Sequence, residues 1–99
     1  MTPLLWTERA LKEYAILLEY LFENWGKTVM LRVSDDINQK VSHIHQYPEH
    51  YPIVIKTKIV RRCVAVPQIS IYYKIFSDRI EIQSIFDNRQ NPKKLKNLK

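Results

Sequence analysis

Apolar and polar positions along the chain follow a helical spacing up to about residue 52 and a strand spacing after it. Pro3 to Trp6 reads as a short strand, and Thr7 stands where a helix N-cap belongs, its hydroxyl available to a free first-turn N–H. Leu11, Tyr14, Ala15, Leu18, Leu21, Phe22 and Trp25 then recur at steps of three and four, on one helix face, while Glu13, Glu19 and Glu23 fall away from it. Gly26, the only glycine, follows at a natural helix C′ position, where a positive φ suits glycine. Thr28 is the next N-cap candidate, and Met30, Val33, Ile37, Val41 and Ile44 form a second apolar stripe. So short a connection predicts an antiparallel helical hairpin. Both stripes read first as core faces and second as a groove for a partner.

Tyr47 to Pro52 ends the helical part, since a residue before proline is pushed out of the α region. Ile53 to Lys58 and Ile59 to Val66 are rich in β-branched residues, and Pro67 stops the second run. Ile69 to Phe76 alternates strictly, and Arg79 to Phe86 follows through the turn Ser77-Asp78. That turn predicts a register with 76 opposite 79, 74 opposite 81, 72 opposite 83 and 70 opposite 85. Lys74 would then face Glu81 as a cross-strand ion pair. Ile71, Tyr73, Ile75, Ile80 and Ile82 fall on the helix-covered face. Ser70, Tyr72, Gln83 and, if the strand continues, Asp87 and Arg89 fall on the open one. The expected architecture is α+β: an N-terminal strand, then an antiparallel helical hairpin packed on one face of a largely antiparallel sheet. A chain of 99 residues closes one core, so 1–99 is expected to be a single domain with 88–99 a basic C-terminal tail.

Charge changes this picture by its distribution. The net charge is +6, yet residues 1–52 carry five basic groups against seven acidic, net −2, and residues 53–99 carry eleven against three, net +8. A field of that sign draws polyanions, either nucleic acid or an acidic protein segment. At 45% hydrophobic and 26% charged the composition excludes a disordered chain. Met1 to Trp6 has no basic lead and its apolar run stops at Thr7-Glu8, so it reads as neither signal peptide nor membrane span. Cys63 has no second cysteine to pair with and reads as a small buried strand residue, which makes the cytoplasm the expected location. His43 and His45 are two apart on a helix and point in different directions. With His50 and Cys63 they make no ligand set, so no metal and no cofactor are expected.

The order strand, two helices, three strands, together with Trp6-Thr7-Glu8-Arg9-Ala10, Val60-Arg61-Arg62-Cys63-Val64, Ile71-Tyr72-Tyr73-Lys74-Ile75 and Ile85-Phe86-Asp87-Asn88-Arg89-Gln90-Asn91-Pro92, resembles the RelE/ParE superfamily of toxins. The resemblance spans roughly the whole chain. It implies the toxin of a type II toxin–antitoxin (plasmid stabilisation) system, with a cognate antitoxin as partner and growth inhibition as outcome. No membrane and no small-molecule substrate are implied.

The superfamily holds two activities. Members similar to RelE are ribosome-dependent mRNA endonucleases that use basic and aromatic side chains of the open sheet face to steer a 2′-hydroxyl onto the adjacent phosphate. This chain has Ser70 where such toxins carry a strand arginine, and no tyrosine follows Arg89. Members similar to ParE poison DNA gyrase instead, and the Arg61-Arg62 pair and the ending from Asp87 resemble that branch. Gyrase is therefore favoured as target by a narrow margin over ribosome and mRNA. A non-catalytic RNA-binding module is a further alternative. Candidate target-binding residues are Arg61, Arg62, Tyr72, Asp87, Asn88 and Arg89, with either arginine of the pair free to face the open side. Arg89 could hold a phosphate or carboxylate bidentately, or simply pair with Asp87. Tyr72 could stack on a base, or serve as a packing residue.

Overall fold

A computed structural model describes residues 2–89. The elements run β1 (Leu4–Trp6), α1 (Glu8–Gln46), β2 (Ile53–Ile55), β3 (Val60–Val66), β4 (Ile69–Ile75) and β5 (Ile80–Asp87). The strands form one sheet of order β1-β5-β4-β3-β2, in which only the β1–β5 pair is parallel. The expected α+β architecture is what forms. Among the described residues no helix is long and apolar enough to cross a membrane.

Thr7 caps α1 as expected, its hydroxyl accepting from the Ala10 N–H at 3.1 Å. The helix is broken at Gly26, whose φ of 86° and ψ of 176° lie in a region open to glycine and to almost nothing else. Helical geometry resumes at once, so Thr28 lies inside the second arm and is not its cap. The arms fold back on each other, because the Tyr14 and Ser34 hydroxyls are hydrogen-bonded at 2.7 Å. In an unbroken helix they would be about 30 Å apart.

The second arm buries the stripe expected of it: Ile37 and Ile44 are fully buried, and Met30, Val33 and Val41 pack against them. The first arm is rotated from expectation. Its core residues are Ala10, Leu17 and Leu21, with Tyr14 beside them, while Leu11, Phe22 and Trp25 stay about half exposed. Ala10 and Leu17 are the residues the expected stripe missed, and the face they share with Leu21 is the one that meets sheet and second arm together.

In the sheet, Lys74 stands opposite Glu81 and the Phe76 N–H donates to the Arg79 carbonyl, as the turn predicted. Beyond that the register slips by one. Tyr72 pairs with Ser84 and Ser70 with Phe86, because a bulge between Tyr72 and Tyr73 leaves Gln83 extra in β5. The Lys74–Glu81 ion pair does not form. Glu81 accepts instead from Arg79 Nε at 2.7 Å and Gln83 Nε2 at 2.8 Å, and Lys74 extends over the Phe76 ring. The strand expected over Ile53 to Lys58 ends at Ile55. Ile59, with φ at 53°, belongs to the turn before β3.

Cys63 is fully buried in β3, and burial pushes its thiol pKa up. Beside it, Tyr51 is hydrogen-bonded to His43 Nδ1 at 2.7 Å, and the Tyr73 hydroxyl donates to the Pro48 carbonyl. These contacts tie the 47–52 loop to the sheet. Burial raises both phenols to about 12.

Two measurements probe this framework. At Gly26 an added Cβ meets nothing within 4 Å, so Gly26→Ala carries backbone strain alone. It should lower unfolding stability by about 1–3 kcal/mol in a denaturant titration. Tyr51 and Tyr73 keep their protons to about 12 in the fold but release them near 10 when unfolded. The unfolded state then binds fewer protons across that interval, so stability falls as pH rises from about 10 to 12. Phenolate absorbance should show two of the six tyrosines titrating last, and Tyr51→Phe should shrink the alkaline loss.

Candidate functional site

The helix-free side of the sheet carries Val60 and Arg62 from β3, Ser70, Tyr72 and Lys74 from β4, and Glu81 and Phe86 from β5, set by the ladder pairs Arg62–Tyr72, Lys74–Glu81 and Ser70–Phe86. Val60, Tyr72 and Phe86 form a small apolar cluster of their own, with Ile55 packed against it. Tyr72 is only 5% exposed, so it is a packing residue of this face and offers no stacking surface. Ser70 is equally covered.

The ladder separates the two arginines. Arg61 stands opposite Tyr73, on the helix side, and its guanidinium donates to the Tyr51 carbonyl at 2.7 Å and the Glu49 carbonyl at 3.2 Å. It fastens the loop before β2. Arg62 stands opposite Tyr72, exposed on the open side, and makes no ion pair among the described residues. Only one of the pair is presented to a target.

The bulge decides the other half of the candidate set. Because it shifts β5 by one residue, Asp87 pairs with Ile69 and turns to the helix side, where it is 1% exposed. Arg89 follows it there and closes a bidentate pair, Nε to Oδ1 at 3.0 Å and Nη2 to Oδ2 at 2.7 Å, with its backbone N–H on Oδ1 as well. This hydrogen bonding pushes the Arg89 pKa up, with burial opposing. The Asn88 N–H donates to the Gln68 carbonyl, so the first two residues of the expected tail are held in place. The rest of that tail, from residue 90, lies outside the described residues.

The guanidinium of Arg89 lies 4.7 Å from the Trp25 ring centroid, at the tip of the hairpin. A cavity of about 360 Å³ opens beside it, lined among others by Trp25, Arg32, Val33, Pro67 and Ile69. The six candidates thus divide: Arg62 and Tyr72 share the open face, Arg61 serves the loop, and Asp87, Asn88 and Arg89 belong to the hairpin tip. No reading of single residues finds the Trp25–Arg89 contact. The bulge behind it has one signal, the step of three from Ile82 to Ile85 where an unbroken strand has two.

Among the described residues no group of histidine, cysteine and carboxylate side chains could hold a metal. His43 is engaged by Tyr51, and His45 Nε2 by the Thr2 carbonyl at 2.6 Å.

Comparison with known proteins gives this geometry a family. The model of the ParE toxin of the type II toxin–antitoxin system parDE matches residues 4–92. Among solved structures, the chromosomal ParDE toxin–antitoxin system from P. aeruginosa superposes with a TM-score of 0.69 at 20% identity, over 88% of this chain and 96% of the other. The solution structure of a conserved hypothetical protein from Helicobacter pylori does so with a TM-score of 0.57 at 17% identity, over 91% and 98%. No curated protein is a significant match. At these identities the structures speak for the fold, and the family match over residues 4–92 carries the assignment: the chain belongs to the ParE toxin family of type II toxin–antitoxin systems.

Proposed function

We propose that this chain arrests growth in the cytoplasm by poisoning DNA gyrase, and that a cognate antitoxin neutralises it. The observation that carries the choice of target is the disposition of the polar groups. Cleavage of RNA needs a base, an acid and a cation converging on one phosphate. Here Arg61 is spent on backbone carbonyls, Arg89 is locked to Asp87 on the helix side, and Tyr72 and Ser70 are covered. What the open face offers is Arg62, exposed and without an ion pair among the described residues, with Lys74 on the same strand face and Glu81 engaged by Arg79 and Gln83. An exposed guanidinium beside an apolar cluster suits docking on an acidic protein surface better than it suits phosphate chemistry.

The test is induced expression of the isolated chain in a bacterium, with growth, DNA integrity and mRNA followed in one culture. Arrest with broken DNA and intact mRNA is the expected result, and codon-phased mRNA cuts would return the nuclease. Unimpaired growth would refute the toxin reading itself. With purified gyrase, Arg62→Glu should weaken inhibition by about tenfold or more, the size expected when a charge at an interface is reversed. Arg62→Lys should retain most of it.

A further inference from the structure

Where β4 turns into β5, a lysine and a glutamate face each other across the open side of the sheet and do not pair. Lys74 and Glu81 are ladder partners, the arrangement in which opposite charges on neighbouring strands ordinarily meet. Both Glu81 oxygens are already taken: Oε2 accepts from Arg79 Nε at 2.7 Å and Oε1 from Gln83 Nε2 at 2.8 Å. The same guanidinium takes the other acid of the turn, its Nη1 donating to Asp78 Oδ1 at 2.8 Å. One arginine thus holds both carboxylates of the turn. Its Cζ lies 4.1 Å from the Phe76 ring centroid and Lys74 Nζ lies 5.3 Å from the same point, so the lysine head rests on an aromatic ring and on no carboxylate.

Lys74 is thereby left to a ligand. It follows Tyr72 on the same face of β4, and Tyr72 pairs with Arg62, so the two cations are diagonal neighbours about 7–8 Å apart. Neither makes an ion pair among the described residues. Asp78, with 72% of its side chain exposed, is screened by solvent. Alternate residues of an extended segment are also about 7 Å apart, so two carboxylates at such positions reach both cations at once, above the apolar cluster of Val60 and Tyr72. We propose that Lys74 is a second target-contacting residue, acting with Arg62 to hold an acidic segment with carboxylates at alternate positions, and that Arg79 is the positioning residue that keeps Lys74 open by holding Glu81. This deepens the docking reading above and rests on it for which protein supplies the segment. Without Arg79, Glu81 Oε2 is released to the lysine directly opposite, and the face keeps Arg62 alone.

The experiment is fluorescence anisotropy of a labelled peptide of alternating glutamate and serine, titrated with the full chain at low ionic strength. Lys74→Ala should weaken binding about threefold or more, the size of one partly exposed charge pair, and Arg62→Ala should do the same. Arg79→Ala should weaken it as much as Lys74→Ala, although Arg79 itself meets no ligand. That loss should vanish when Arg79→Ala is made in a Glu81→Gln background, where no carboxylate is released, and also in a Lys74→Ala background, where there is no lysine left to cover. A role for Arg79 in holding the turn together would survive both backgrounds, and a thermal melt confirms that each variant folds. No binding by the unaltered chain, full affinity after Lys74→Ala, or a loss from Arg79→Ala that persists in either background would each overturn the proposal. Purified gyrase, assayed beside the peptide, separates the two readings: a chain that binds the peptide as described and leaves gyrase active sinks the choice of target and leaves the site standing.

Discussion

The architecture hangs on the backbone of one residue. Thirty-nine residues of α1 would make a rod of about 58 Å, far longer than strands of seven or eight residues can support. Gly26 breaks the rod with a φ/ψ pair that a side chain disfavours, and the two arms come back onto one face of the sheet. Only then can Leu17 and Leu21 from the first arm share a core with Ile37 and Ile44 from the second and with Ile71, Tyr73 and Ile82 beneath them. The break also places Trp25 next to the end of β5, which makes the Arg89 contact available.

A second, smaller irregularity divides the functional surfaces. Without the extra Gln83, Phe86 and Asp87 would exchange sides. Phe86 would leave the cluster it forms with Val60 and Tyr72, and a carboxylate would stand on the open face. With it, the acid is buried beside the hairpin and neutralised by the arginine two residues on. Burying a charge is tolerable only when it is paired and hydrogen-bonded, and Asp87 has both from Arg89. The open face is left with Arg62, Lys74 and the apolar cluster, and the one carboxylate that stands opposite Lys74 there, Glu81, is engaged by Arg79 and Gln83.

Arginines adjacent in sequence do unrelated work for a simpler reason. Arg61 and Arg62 differ by one residue in a strand, which in a pleated sheet means opposite faces. One closes a loop and the other meets solvent. Arg89 had an ion pair with Asp87 among its readings from the start, and that pair is what the fold makes.

Local chemistry was enough to determine the elements. Thr7 as cap, Gly26 as breaker, the second-arm stripe from Met30 to Ile44, Cys63 inside a strand and the tight turn at Ser77-Asp78 each follow from one residue type or one period, and each stands in the structure. The family was legible for the same reason, since it is carried by the order of those elements and four short motifs. What only the tertiary structure decided are the choices between faces. The first arm has two apolar rows a quarter-turn apart, and which is buried depends on how two arms and a sheet meet, a packing term that periodicity does not contain. The strand faces beyond Ile82 depend on a single bulged residue, and a shift of one exchanges every side chain across the sheet. Asp87 and Arg89 lie beyond that point in the ladder, and they stand on the face opposite to the expected one because side-chain direction is a property of the assembled sheet.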